Sequence, residues 1–294
     1  MTDTCLNTTA LDVVIVNYNA GSALRACIDS VLASSGLRTR CIIIDNASVD
    51  NSLQLLDGLP EDRVQLVCND QNIGFSAAVN QGVVLSNTTF FMLLNPDTYV
   101  PENSLHDLLE CAQKYPQAGV LGCFVVNPDG SEQRGCRRDQ PTPLLTLAHG
   151  LRLHKIFHRL EFNHTMRPLP QEVRVVGSIS GACMLIRRTA HESIEGFDTG
   201  FFLHFEDLDY CARMAINSWD VLFVPFIKIE HIQGVSSAHM PLRVIMHKHK
   251  SMLRFFYKHG GWQRSLIPLL APLVVAHGCA QVFSTLIKRV RCAR

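Results

Sequence analysis

The sequence predicts an α/β protein, a mostly parallel sheet covered by helices on both faces. Two observations carry this. Short, uniformly apolar runs recur through the first two thirds of the chain, as strands buried on both faces do. Segments of helical period lie between them, giving the βαβαβ order that parallel strands and crossover helices require.

The elements follow in order. Residues 11–16 form a β-branched run, and 22–35 carry Leu24, Ile28, Val31 and Leu32 at helical spacing behind Ser22, an expected cap. Strands are predicted at 40–44 and 64–67, the first ending in Asp-Asn-Ala-Ser and the second in Cys-Asn. A helix over 74–85 leads to Phe-Phe-Met-Leu-Leu at 90–94, which stops at Asn95-Pro96-Asp97 because Pro96 has no N–H for a ladder. An amphipathic helix over 102–115 and a strand over 120–126 complete this part. A polar, turn-rich connection fills 127–142. From there to Pro170 the chain is basic and His-rich, read as a mobile insertion near the site, with His149, His154 and His158 as exposed histidines rather than ligands. Strands return at 182–186, 221–224 and 226–229, and a basic amphipathic helix is predicted over 241–259.

Net charge is +1, with 47 % hydrophobic and 18 % charged residues, and no basic stripe interleaves with aromatics, so nucleic acid is not an expected partner. Eleven cysteines without a CxxC pair, behind a polar N-terminus with no leader pattern, point to reduced thiols and the cytoplasm. Residues 266–287 contain no Asp, Glu, Lys or Arg, yet Pro268, Pro272, His277, Gly278 and Gln281 make a poor spanning helix. An interfacial segment with a basic tail at 288–291, peripheral on the cytoplasmic face of a membrane, is the expectation for 262–294. The rival is a helix against the protein's own core or a second subunit, as a homo-oligomer.

Open α/β sheets bind ligands at the carboxyl ends of their strands. Val16, Asn17 and Tyr18 lie at one such end and Asp45 at the next, where amides and a carboxylate can read a nucleotide base. No GxGxxG follows the first strand, so a dinucleotide site is not expected. Asn72, Gly74 and Asn80 surround a helix start whose amides can meet phosphate or sugar oxygens. Asp97 is placed to hold a divalent cation against a diphosphate. Glu206, Asp207 and Asp209 open a helix, with Phe201, Phe202 and Phe205 as a candidate apolar wall. His231 closes a strand and is an acceptable cation ligand.

In order these elements read NYN, DNAS, NIGFSAAVNQG, LLNPDT, DGS with QRG and RR, GFDTGFFLHFEDLDYCAR, and His-x-x-Gly-x-Ser. Over residues 11–260 the chain resembles family 2 inverting glycosyltransferases of the rhamnosyltransferase-like branch. The resemblance implies a GT-A fold at 1–240, with a nucleotide-binding half near 11–100, an acceptor half near 101–240, and a helical extension at 241–294. It implies that Asp45 reads a pyrimidine base near Asn17 and Tyr18. Asp97 and His231 would hold Mg²⁺ or Mn²⁺ on the diphosphate of a dTDP- or UDP-sugar, best dTDP-L-rhamnose. Asn95 stands where the family's Asp-x-Asp has its first carboxylate. Asp207 would be the base that activates a hydroxyl of a glycan or lipid-linked acceptor, with Glu206 and Asp209 in support. A non-catalytic glycan-binding scaffold of the same fold is one alternative. A sugar-phosphate nucleotidyltransferase is the other, but 16–22 lacks the basic residues it needs.

Overall fold

The computed structural model describes residues 10–150, 157, 161–232 and 241–292. The N-terminal segment, His154, His158 and the Gly-Val-Ser-Ser run after His231 lie outside the described residues, as do the side chains of His149 and of the basic tail.

The N-terminal half is β1 (Ala10–Asn17), α1 (Ser22–Leu32), β2 (Arg38–Asp45), β3 (Val64–Cys68), α2 (Phe75–Val84) and β4 (Phe90–Leu94). These strands run parallel in the order β3-β2-β1-β4, and β4 is buried at every position. Ser22 is not a cap: it is the first helical residue, after Gly21 at φ 57°. The Gly21 amide donates to Asp50 Oδ2 at 2.8 Å, so the neighbouring loop holds this end of the helix.

The chain continues through β5 (Thr98–Tyr99), α3 (Ser104–Lys114), β6 (Ala118–Val126), β7 (Arg137–Arg138) and α4 (Pro143–Gly150). Then come β8 (Arg174–Val175), β9 (Ser178–Ile179), β10 (Cys183–Arg187), α5 (Arg188–Ser193), α6 (Glu206–Ile216) and β11 (Asp220–His231). The main sheet has nine strands and is mixed. β10 runs antiparallel between β4 and β6, whereas β6 and β11 are parallel. One sheet therefore spans both halves, and the antiparallel insertion turns the second half back toward the ends of β1 and β4.

Two late helices complete the chain, α7 (Pro241–His259) and α8 (Ile267–Cys292). α7 is fastened by a small separate core of Phe201, Leu208, Phe255 and Phe256. α8 meets α7 at His249 and His277, whose ring nitrogens are 3.1 Å apart. Leu269, Leu273, Val275 and Phe283 on α8 are exposed. The described cysteines are free, and most are buried as small apolar side chains.

Candidate active site

A cavity of about 460 Å³ opens at the carboxyl ends of β1 and β4, within the size of small-ligand sites. Its walls bring together Val16, Tyr18, Asn72, Asn95, Asp97, Glu206, Asp207 and His231 from segments far apart in sequence.

Strand register makes the first corner. β5 pairs antiparallel with the end of β11, setting His231 opposite Thr98 and beside Asp97. His231 Nε2 lies 3.0 Å from Asp97 Oδ1, and both residues are buried. Asn95 Nδ2 is 3.2 Å from the same ring nitrogen. Gln133 fixes the ring. Its Nε2 donates to Asn127 Oδ1 and to the His231 carbonyl, each at 3.1 Å, so its Oε1 is the atom 2.6 Å from His231 Nδ1. Nδ1 therefore carries the hydrogen, which directs the Nε2 lone pair at a carboxylate oxygen. Two facing acceptors of this kind suit a divalent cation. Among the described residues no group of three His, Cys, Asp or Glu side chains converges. The protein thus offers a partial shell, suited to a metal whose remaining ligands come from substrate and water.

Asp207 forms the second corner at the start of α6. His204 and Phe205, just before it, both adopt left-handed backbone conformations (φ 65° and 68°), which bulky residues hold only under constraint. Asp207 pairs with Arg138, and its Oδ2 also accepts the Gly181 amide at 3.3 Å. A Cβ on Gly181 would stand 3.2 Å from that of Asp207, so glycine leaves the carboxylate its place. Glu206 is buried, with Oε2 lacking a partner. Burial first, then the Asp207 charge, raises its pKa to about 8. Glu206 is therefore mostly protonated at neutral pH and presents an O–H donor beside Asp207.

Other candidates lie behind the walls. Asn17 and Asp45 are buried against each other, Asn17 Nδ2 donating to Asp45 Oδ1 at 2.7 Å. Ser48 supplies Asp45 with two further donors, its amide at 2.9 Å and its hydroxyl at 2.6 Å. Through these bonds the carboxylate braces two loops. Asn80 is a clamp, exchanging hydrogen bonds of 2.8 and 2.9 Å with the backbone of Phe197. Gly74, at φ 89°, makes room for Phe202 rather than a ligand, and the Phe75 amide donates to the Phe202 carbonyl at 2.8 Å. The first amide of α2 is thus taken by backbone. Asp209 faces away from the cavity toward α7, bonded to Arg213 at 2.8 Å and to His259 at 2.7 Å. Of the three expected wall phenylalanines only Phe202 reaches the cavity, joined by Phe75. Phe201 and Phe205 turn toward the core under α7. Sequence reasoning assigned no role to Asn46, Gln133, Arg138 or Gly181, although Asn46, Gln133 and Arg138 stood in motifs already noticed.

A family model described as "Glycosyl transferase family 2" matches residues 12–194. The chain belongs to glycosyl transferase family 2. It is a glycosyltransferase, similar to an N-acetylglucosaminyl-diphospho-decaprenol L-rhamnosyltransferase of Mycobacterium tuberculosis, 28 % identical over 273 residues and covering 88 % of each chain. Two solved structures share its GT-A fold. One is a Pyrobaculum calidifontis mannosyltransferase in complex with GDP-Man and Mn²⁺, with TM-score 0.59, 14 % identity, and coverage of 94 % of this chain and 75 % of that one. The other is GalNAc-T7 with UDP, GalNAc and Mn²⁺, with TM-score 0.58, 17 % identity, and coverage of 77 % and 44 %.

Proposed function

We propose that this glycosyltransferase moves L-rhamnose from dTDP-L-rhamnose to a hydroxyl of a sugar carried on a lipid diphosphate, by a single inverting displacement. The observation that carries the reading is the shared cavity, with the Asp97–His231 pair at one corner and Asp207 at another. The long likeness to a rhamnosyltransferase whose name includes a lipid-diphosphate acceptor supports the donor and acceptor classes.

The nucleoside lies along Val16, Tyr18, Asn46 and Asn72, where the parallel strands end. Asp97 and His231 would hold Mg²⁺ or Mn²⁺, which would supply charge neutralisation for the departing diphosphate. Asp207 accepts the acceptor's hydroxyl proton as that oxygen attacks the anomeric carbon from the face opposite the leaving group. Arg138 and the Gly181 amide fix the carboxylate where the acceptor hydroxyl must approach. Glu206, protonated, donates to a substrate oxygen. No covalent nucleophile is needed. An enzyme that does this belongs on the cytoplasmic side, where nucleotide sugars are made, with α8 lying against the membrane surface that carries the acceptor.

A thermal-shift screen with dTDP, UDP, GDP and CDP, with and without Mn²⁺ or Mg²⁺, tests the donor. Nucleotide at 100 times its dissociation constant stabilises the fold by ~2.7 kcal/mol. Stabilisation by dTDP that requires metal, together with transfer from dTDP-L-rhamnose giving the inverted anomer, is the expected result. No response to any nucleotide would overturn the reading in favour of a glycan-binding scaffold.

A further inference from the structure

The cavity carries more positive charge on its α7 side than its carboxylates balance. Arg138 is matched by Asp207. Arg134 and Arg243 line the same cavity, and among the described residues no carboxylate pairs with either. Lys248, one helical turn beyond Val244 on α7, also has no acidic partner among the described residues and lies within reach of the Arg134 charge. His247, stacked on Phe202 with ring centroids 4.2 Å apart, seals the wall between Arg243 and Lys248. Like charges gathered without counterions are unfavourable unless an anion completes them.

We infer that Arg134, Arg243 and Lys248 form a second anion site at the cavity mouth, binding the diphosphate that links the acceptor sugar to its lipid. The inference rests on the proposed lipid-diphosphate acceptor. Charge argues against the donor diphosphate as occupant, because a dication held by Asp97 and His231 would already neutralise that group. Position argues the same way. His247 of α7 stacks on Phe202, and the same helix packs Phe255 and Phe256 on Phe201 and Leu208, so the α7 cations lie beside the segment that leads into Asp207 rather than beside Val16 and Tyr18. α7 presents Arg243 and His247 to the cavity and rests His249 against His277 of α8. Sugar at Asp207, diphosphate at the cations and lipid along the exposed apolar side of α8 then form one continuous path.

The test compares two acceptors, a short-chain prenyl diphosphate sugar and an alkyl glycoside of the same sugar, in wild type and in Arg134→Gln/Lys248→Gln. Both replaced side chains are exposed, so the fold should survive, which a thermal midpoint checks. The ratio of kcat/KM for the diphosphate acceptor to that for the glycoside should fall ~10- to 100-fold, the range of one or two charge-assisted hydrogen bonds. An unchanged ratio overturns the site, and an unchanged ratio with a raised donor KM reassigns the cations to the donor and overturns the acceptor assignment. A second readout needs no turnover: titration with inorganic pyrophosphate in EDTA, where wild type should bind and the double variant should bind ~10-fold or more weakly. If wild type transfers no sugar from any nucleotide, the proposed function fails while this titration still decides the anion site. Equal or absent pyrophosphate binding in both proteins overturns it.

Discussion

Three neighbouring carboxylates at 206, 207 and 209 have three different surroundings. Asp207 faces the cavity and Arg138, and if it is the base proposed above its loss should be specific: Asp207→Asn should lower kcat ~10²- to 10⁴-fold. Nucleotide binding, read by thermal shift, should persist, and a variant with full turnover would remove Asp207 from its role. Glu206 is held protonated, its pKa raised from 4.5 to about 8. The native state thus keeps a proton that the unfolded chain releases, and stability falls as pH rises through that window. Glu206→Gln should flatten the decline, gaining on wild type in urea unfolding between about pH 5 and pH 8.5. Parallel curves would show that the proton is not held there. Asp209 is the reverse case. Burial pushes it up, but His259, Arg213 and Lys258 more than offset this and hold it at about 2. Its contribution is present above the ordinary 3.8 and is lost as pH falls through about 2. Asp209→Asn should cost stability, ~3 kcal/mol for a broken buried pair, with kcat per folded molecule little changed. A stable but inactive Asp209→Asn would return this residue to the catalytic set.

At the scale of elements, the strands and helices were legible where one physical cause dominated. Uniform burial marked β4, Pro96 marked its end, and the amphipathic period marked α3 and α7 to within two residues at most. Asp97, Asp207 and His231 could be nominated because strand ends and helix starts are where such residues act. What could not be read was set by contacts distant in sequence. The antiparallel placement of β10 between β4 and β6 depends on sheet pairing, not on local pattern. Asp45 and Asn80 became braces because Ser48 and the Phe197 backbone reached them first. Phe202 took the first amide of α2. Gly82 shows the same dependence. As a helix residue it invites replacement by alanine, which propensity favours by ~1 kcal/mol. Yet a Cβ there would stand 2.5 Å from Val14 Cγ1 and 3.2 Å from Ile44 Cγ1, both in the sheet. Gly82→Ala should therefore destabilise by ~1–3 kcal/mol through overpacking, and a raised melting temperature would show that α2 can lift off the sheet freely.

At the scale of the whole molecule, one end remains uncovered. Trp262 and Tyr257 are exposed near the start of α8, followed by Leu269, Leu273 and Phe283 along it. Residues 261–284 are long and apolar enough to cross a bilayer, and only 11 % of that window is buried. Pro272 within the helix, and His277 turned toward His249, suit a helix lying in the interface better than one spanning it. The flanking aromatics and Arg264 suit the same depth, where rings meet head groups. A membrane surface and a second copy of the chain would both cover this face, but they respond differently to charge. Leu269→Asp/Leu273→Asp places two carboxylates on exposed positions, so the thermal midpoint should hold. Sedimentation with anionic lipid vesicles should fall ~10-fold or more, since each apolar side chain withdrawn from the interface loses over ~1 kcal/mol and the added carboxylates repel the lipid. Retained vesicle binding, with a dimer in the wild type that becomes a monomer in the variant, would assign the face to self-association and separate the active site from the membrane.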